Sequence, residues 1–141
     1  MHKFLTAVFI SLLAMPLFAK DVTINANDQL QYDVKEIKVK AGEEIKLTLN
    51  HVGKMPKNVM GHNVVVLKLG TDVNSFVQDA QKAKDNDYIP QASKAIVAHT
   101  KLLSGGESDT ISFTIDQAGS YDYICSFPGH SFVMKGKIIV E

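Results

Sequence analysis

The stretch Tyr121-Asp122-Tyr123-Ile124-Cys125-Ser126-Phe127-Pro128-Gly129-His130-Ser131-Phe132-Val133-Met134-Lys135-Gly136-Lys137-Ile138-Ile139-Val140 decides the reading of this chain. Tyr121 and Tyr123 alternate with Asp122, and Ile138 and Val140 alternate again at the far end, so two strands flank a loop. Pro128-Gly129 supplies the turn that folds the loop back. Within the loop, Cys125, His130 and Met134 follow the spacing C-x4-H-x3-M, and Cys125 is the only cysteine of the chain. A loop held between two strands can aim several side chains at one spot.

The same alternation recurs upstream. Val22, Ile24 and Ala26, then Ile37 and Val39, then Ile45, Leu47 and Leu49, and later Ile111, Phe113 and Ile115 sit at period two. Val64 to Leu69 is an apolar run that suits a more deeply buried strand. Asn27-Asp28, Ala41-Gly42-Glu43, Ser104-Gly105-Gly106 and Ala118-Gly119 punctuate the runs as turns. Many short strands at this spacing imply an all-β Greek-key β-sandwich. One segment departs from the pattern. Val73, Phe76, Val77, Ala80 and Ala83 fall at helical spacing, with Thr71 or Asp72 available as the N-cap. This predicts a single short external helix at about 72–84, followed by an extended loop from 85 to about 97. No repeat, low-complexity tract or domain linker interrupts the chain.

The first residues read as a secretory leader. Lys3 gives a positive start, Phe4 to Leu17 is nearly all apolar, and Ala19 is a small residue suited to a cut before Lys20-Asp21. Residues 1–19 are expected to be a cleaved signal peptide and residues 20–141 the mature domain. The apolar run is short for a membrane span of roughly 20 residues. The mature chain is expected to be one soluble domain. Lys plus Arg and Asp plus Glu both number 15, so there is no basic excess to favour nucleic acid, and no basic amphipathic helix favours a membrane surface. A monomer is expected.

A lone cysteine in an exported protein is a reactive thiol, an intermolecular link, a ligand or a buried inert group. Its neighbours favour a ligand. His62, in Met60-Gly61-His62-Asn63, lies far upstream and would reach the site from another strand end. Taken singly, His62 reads as a structural histidine and Met134 as a core residue. Together, one thiolate, two imidazoles and one thioether are the donor set of a blue-copper electron-transfer site. A trigonal His2Cys plane with a distant thioether lies between the geometries preferred by Cu(I) and Cu(II), so little must move when an electron arrives. Zinc also accepts Cys and His, but it is redox-silent and has no need of Met.

At this point a resemblance enters. Asn27 to Gln31, Pro56-Lys57-Asn58-Val59-Met60-Gly61-His62-Asn63, Ala98-His99-Thr100-Lys101-Leu102 and Cys125 through Lys137 resemble the azurins, periplasmic blue-copper proteins of the cupredoxin family. The likeness spans essentially the whole mature domain, and the five-residue step from Cys125 to His130 is longer than in plastocyanin-like relatives. The resemblance implies one mononuclear type 1 copper. His62, Cys125 and His130 would be the equatorial ligands, Met134 the weak axial one, and the Gly61 carbonyl the opposite axial group. It also implies thiolate donors in the backbone N–H groups of Asn63 and Phe127. An apolar docking patch around His130 is implied too, formed by Leu30, Met55, Val59, Met60, Phe127, Pro128, Gly129, Phe132 and Val133. Redox partners would be proteins such as c-type cytochromes or periplasmic reductases.

The chain also departs from that family. Lys20 and Glu43 stand where a disulfide is common, so the N-terminal hairpin is expected to be less braced. Val64 stands where a buried tryptophan is frequent, and the chain has no Trp. His51 is expected to be buried and hydrogen-bonded, with a pH-linked role open to it, and His99 to be a surface residue. Tyr121 and Tyr123 read as strand packing. The expected function is a periplasmic electron carrier and not an enzyme. A copper carrier or buffer would use the same ligands, but the chain lacks Met/His-rich tracts. A multicopper oxidase would need more His clusters than His51 and His99 provide.

Overall fold

The structure, a computed structural model, describes residues 19–141. The leader reading rests on residues 1–18 and lies outside the described residues, apart from Ala19. Among those described, no helix is long and apolar enough to cross a membrane.

Eight strands make two sheets: β1 (Lys20–Ala26), β2 (Glu36–Val39), β3 (Glu44–His51), β4 (Val65–Leu67), β5 (Ile96–His99), β6 (Ser108–Thr114), β7 (Gly119–Ile124) and β8 (Lys135–Val140). The smaller sheet has the order β1-β3-β6, and the larger β2-β8-β7-β4-β5. Strand β3 sits between a parallel β1 and an antiparallel β6. Strand β2 runs parallel to β8, and the remaining pairs of the larger sheet are antiparallel. The predicted Greek-key sandwich is the observed architecture.

The alternation read from the sequence is the alternation of burial. Ile45, Leu47 and Leu49 are fully buried, while Glu44, Lys46 and Thr48 point outward or lie half-buried. They meet Ile24, Val64, Val66, Tyr121, Tyr123 and Ile138 in the core between the sheets. Burying each large aliphatic side chain contributes about 1.5–3 kcal/mol.

The external helix forms as expected, over Val73–Lys82, with the Asp72 carboxylate accepting from the Ser75 N–H at 3.1 Å. Phe76 and Ala80 pack on Val65, Leu67 and Ile124, a second core on the outer face of the large sheet. That cover explains why β4 is buried on both faces and reads as a continuous apolar run. A Phe76→Ala change would cost about 3–5 kcal/mol by opening this layer.

Three expectations are corrected. The segment from 85 to about 97 is not all loop: residues Lys84–Asn86 form a 3-10 turn, and β5 starts at Ile96. A short helix, Lys57–Met60, precedes His62. Strands β1 and β2 do not pair as an N-terminal hairpin, because they belong to different sheets, and the chain turns back on β1 through an antiparallel bridge between Ala26 and Tyr32. Strand β1 is braced instead by seven parallel pairings along β3, from Lys20 with Ile45 to Ala26 with His51.

Candidate metal centre

Two chain segments meet at this site, one around His62 and one from Cys125 to Met134. Cys125 follows β7 directly, and Met134 precedes β8. The loop between them is closed by two backbone bonds, from the Cys125 N–H to the Met134 carbonyl at 3.0 Å and from the Met134 N–H to the His130 carbonyl at 2.8 Å. Gly129 takes the left-handed conformation that the turn before His130 requires, at φ 80°. His62 lies between the short helix and β4, paired through its backbone N–H and carbonyl with Leu103.

This arrangement gathers His62, Cys125 and His130. One donor atom from each lies within 4.8 Å of the others, and all three residues are buried. The Cys125 Sγ is 3.6 Å from the His130 Nδ1, 4.0 Å from the His62 Nδ1 and 3.7 Å from the Gly61 carbonyl oxygen. Met134 is fully buried in the same core cluster as Cys125.

The tautomers follow from the hydrogen bonds. His62 Nε2 donates to the Asn27 carbonyl at 2.7 Å, leaving the Nδ1 lone pair toward the thiol. Asn27 is set for this by its own side chain, whose Oδ1 accepts from the Gln29 and Gln31 N–H groups. His51 lies outside the cluster. Its Nδ1 accepts from the Gly53 N–H and its Nε2 donates to the Met60 carbonyl, with its ring 4.4 Å from that of His62. His99 is exposed, as expected.

Burial dominates the electrostatics. It pushes the Cys125 thiol up to about 11, against the nearby backbone N–H groups of Asn63 and Phe127, which favour the thiolate. Burial pulls His130 down to about 4, with the nearby His62 adding to the effect. His62 is lowered by burial too, against its bond to Asn27. Both imidazoles are therefore neutral at pH 7 with nitrogen lone pairs free to coordinate. The thiol must lose a proton to do so, and a cation supplies the compensation.

Gly61 is required by space. A Cβ there would come within 2.5 Å of the Lys57 carbonyl oxygen and 3.0 Å of Leu102. Around His130, Phe132 is 78% exposed, Val59 and Val133 each 55%, and Met55 42%. Phe127 packs on the His130 ring at 4.5 Å. These four side chains of the expected collar are exposed, whereas His130 itself is only 4% exposed.

Sequence reasoning missed the clamp behind the cluster. The Asn63 side chain accepts from the Ser126 N–H and donates to the Ser126 Oγ, each at 2.8 Å. Ser126 Oγ donates on to the Tyr88 carbonyl, and the Tyr32 hydroxyl donates to the Asn63 carbonyl. Ser126 was marked only by its place beside Cys125, and Asn63 only for its backbone N–H, not for this side-chain bond.

A buried set of one thiol and two imidazoles, with thiolate donors in place, fits copper better than a hard cation. The sequence profile described as copper binding proteins, plastocyanin/azurin family, matches residues 19–141. The chain belongs to the plastocyanin/azurin family. It is 42% identical to azurin of Alcaligenes faecalis over 85% of this chain and 97% of that protein. It is 36% identical to azurin of Pseudomonas aeruginosa, over 100% of this chain and 99% of that one. The structure of dithionite-reduced auracyanin from Roseiflexus castenholzii is similar at a TM-score of 0.78 and 33% identity, covering 86% of this chain and 97% of that one. Like its azurin relatives, the protein is an electron carrier with a mononuclear type 1 copper, and it is not an enzyme. Its partners are redox proteins.

Proposed function

We propose that His62, Cys125 and His130 would hold copper as its three strong ligands, with the Met134 thioether and the Gly61 carbonyl as weaker donors. The observation that supports this most is the convergence of two imidazole nitrogens and one sulfur within 4.8 Å in a buried cluster. Copper, when bound, supplies the one-electron Cu(I)/Cu(II) couple. The protein holds the donors in place from two strand ends and a closed loop. Burial excludes water, and the N–H groups of Asn63 and Phe127 stabilise negative charge on sulfur.

The carrier works in the periplasm after removal of residues 1–19, and residues 20–141 form its cupredoxin domain. It exchanges electrons with c-type cytochromes or periplasmic reductases, and these dock on the apolar collar around His130. The exposed Phe132, Val133, Val59 and Met55 support that docking face, since they bring a partner close with little charge to desolvate. The His130 imidazole is the group nearest the docked partner.

Absorption and EPR spectra of the mature protein with one equivalent of Cu(II) test the ligand set. An intense blue band with narrow copper hyperfine splitting is expected. A pale spectrum would mean that the Cys125 sulfur does not bind. Mass spectrometry of the exported protein tests the leader, with an N-terminus at Lys20 expected.

A further inference from the structure

Tyr32 is 3% exposed, and its hydroxyl reaches one partner, the Asn63 carbonyl. A phenylalanine would fill the same space without desolvating a hydroxyl, which costs free energy where no bond compensates. The hydroxyl therefore acts on Asn63. Asn63 is the residue that follows His62, and its backbone N–H lies near the Cys125 sulfur, where it favours the thiolate. Its side chain ties down Ser126, the residue after Cys125.

Tyr32 belongs to the turn that also carries Asn27. That turn is pinned to β1 by the pairing of Tyr32 with Ala26. It grips two consecutive residues, the His62 ring through the Asn27 carbonyl and the Asn63 backbone through the Tyr32 hydroxyl. The far side of the Asn63–Val64 peptide is held as well, because the Val64 N–H donates to the Thr100 Oγ1 at 3.0 Å. The Asn63 N–H belongs to the preceding peptide, whose His62 carbonyl accepts from the Leu103 N–H at 2.8 Å, so Asn63 is held on both sides of its Cα and its N–H keeps its direction.

We propose that Tyr32 is a positioning residue for the copper couple, and that its hydroxyl locks Asn63 so that the Asn63 N–H stays on the Cys125 sulfur. This rests on the reading that Cys125 is a copper ligand. The direction of the effect follows from charge. An N–H bonded to the thiolate withdraws electron density from it and so favours Cu(I). Loosening that bond leaves a more donating sulfur, favours Cu(II) and lowers the reduction potential.

The built-in control is Tyr123, an equally buried tyrosine whose ring lies 5.8 Å from that of Tyr32. Its hydroxyl donates to the Val34 carbonyl at 2.6 Å, away from Asn63. The test compares wild type, Tyr32→Phe and Tyr123→Phe as mature proteins. Reduction potentials are measured with copper bound, and exchange of the Asn63 amide hydrogen is measured without metal. Tyr32→Phe is expected to lower the potential and to speed Asn63 exchange. A tenfold fall in the ratio of Cu(I) to Cu(II) affinity would read as about 59 mV. Tyr123→Phe is expected to lower stability with the potential unmoved. An unchanged potential in Tyr32→Phe, or equal shifts in both variants, would overturn the proposal. A wild type without a blue band would overturn the ligand reading and this one with it, a result visible before any variant is made.

Discussion

The Cys125 Sγ lies 3.6 Å from the His130 Nδ1, although four residues of loop separate them. The contact exists because the loop is tied at its neck, by Cys125 to Met134 and by Met134 to His130. His62 meets the same sulfur from a different sheet position. The cluster is therefore assembled by the fold.

Removing the sulfur tests that cluster directly. Cys125→Ser keeps nearly the same volume and replaces a soft donor by a hard one. The protein is expected to fold and to lose the intense blue absorption completely. A strong thiolate-to-copper band surviving in Cys125→Ser would disprove the ligand assignment.

Met134 should behave differently, since a distant thioether tunes copper more than it holds it. Met134 is fully buried, so Met134→Leu conserves volume and is expected to cost under about 1.5 kcal/mol of stability. Copper stays bound and the reduction potential shifts. Voltammetry and a copper titration separate the two effects. Loss of copper binding would show that the sulfur is a principal ligand instead.

The strands with one wet face were legible because Ile45, Leu47 and Leu49 declare their buried side by alternation. Strand β5 was not legible, since its residues are half-buried at a sheet edge and show no such contrast. The parallel partners of β1 and β2 also left no local trace, because pairing depends on chain crossings between sheets. At the site, the C-x4-H-x3-M loop was conspicuous, and His62 was found through it. The brace was hidden. Tyr32 and Asn63 are 31 residues apart, and Asn63 and Ser126 are 63 apart, so only the folded chain reveals their bonds.

Gly61 carries a steric requirement that is easy to measure. The Lys57 carbonyl oxygen would lie 2.5 Å from a new Cβ, and it is backbone, so it cannot rotate away. Gly61→Ala is expected to displace the neighbouring His62. Stability should fall by about 1–3 kcal/mol, as for other overpacked sites. Denaturant unfolding of the metal-free protein gives the first quantity, and the blue spectrum reports the second. A variant equal to wild type in both would show that the helix Lys57–Met60 yields freely.

In the metal-free protein, acid should be more damaging than neutral pH. His130 is held at about 4, below its ordinary 6.5, and His62 is lowered as well. The unfolded chain therefore takes up these protons first. Their contribution is fully present above about pH 6.5 and is lost as pH falls toward 4. Cys125, raised to about 11 from 9.0, has the opposite sense, its contribution fading as pH rises through that range. The midpoint of thermal unfolding is expected to drop between pH 7 and pH 5, and to drop less in His130→Gln. Equal slopes in the two proteins would mean that His130 is not held neutral by burial.

The docking face can be probed without touching the cluster. Phe132 is 78% exposed, so Phe132→Ser removes little from the folded core and should leave stability, spectrum and potential as they were. What changes is the apolar area offered to a partner beside His130. If Phe132 anchors the contact, its loss should cost about 1.4 kcal/mol or more, a tenfold fall in the second-order rate with a reduced c-type cytochrome. A small inorganic reductant has no use for the collar and should react at nearly the wild-type rate. Stopped-flow measurements with both reductants decide the matter. A parallel fall in both would place the effect on the copper rather than on docking, whereas an unchanged cytochrome rate would move the docking face away from Phe132.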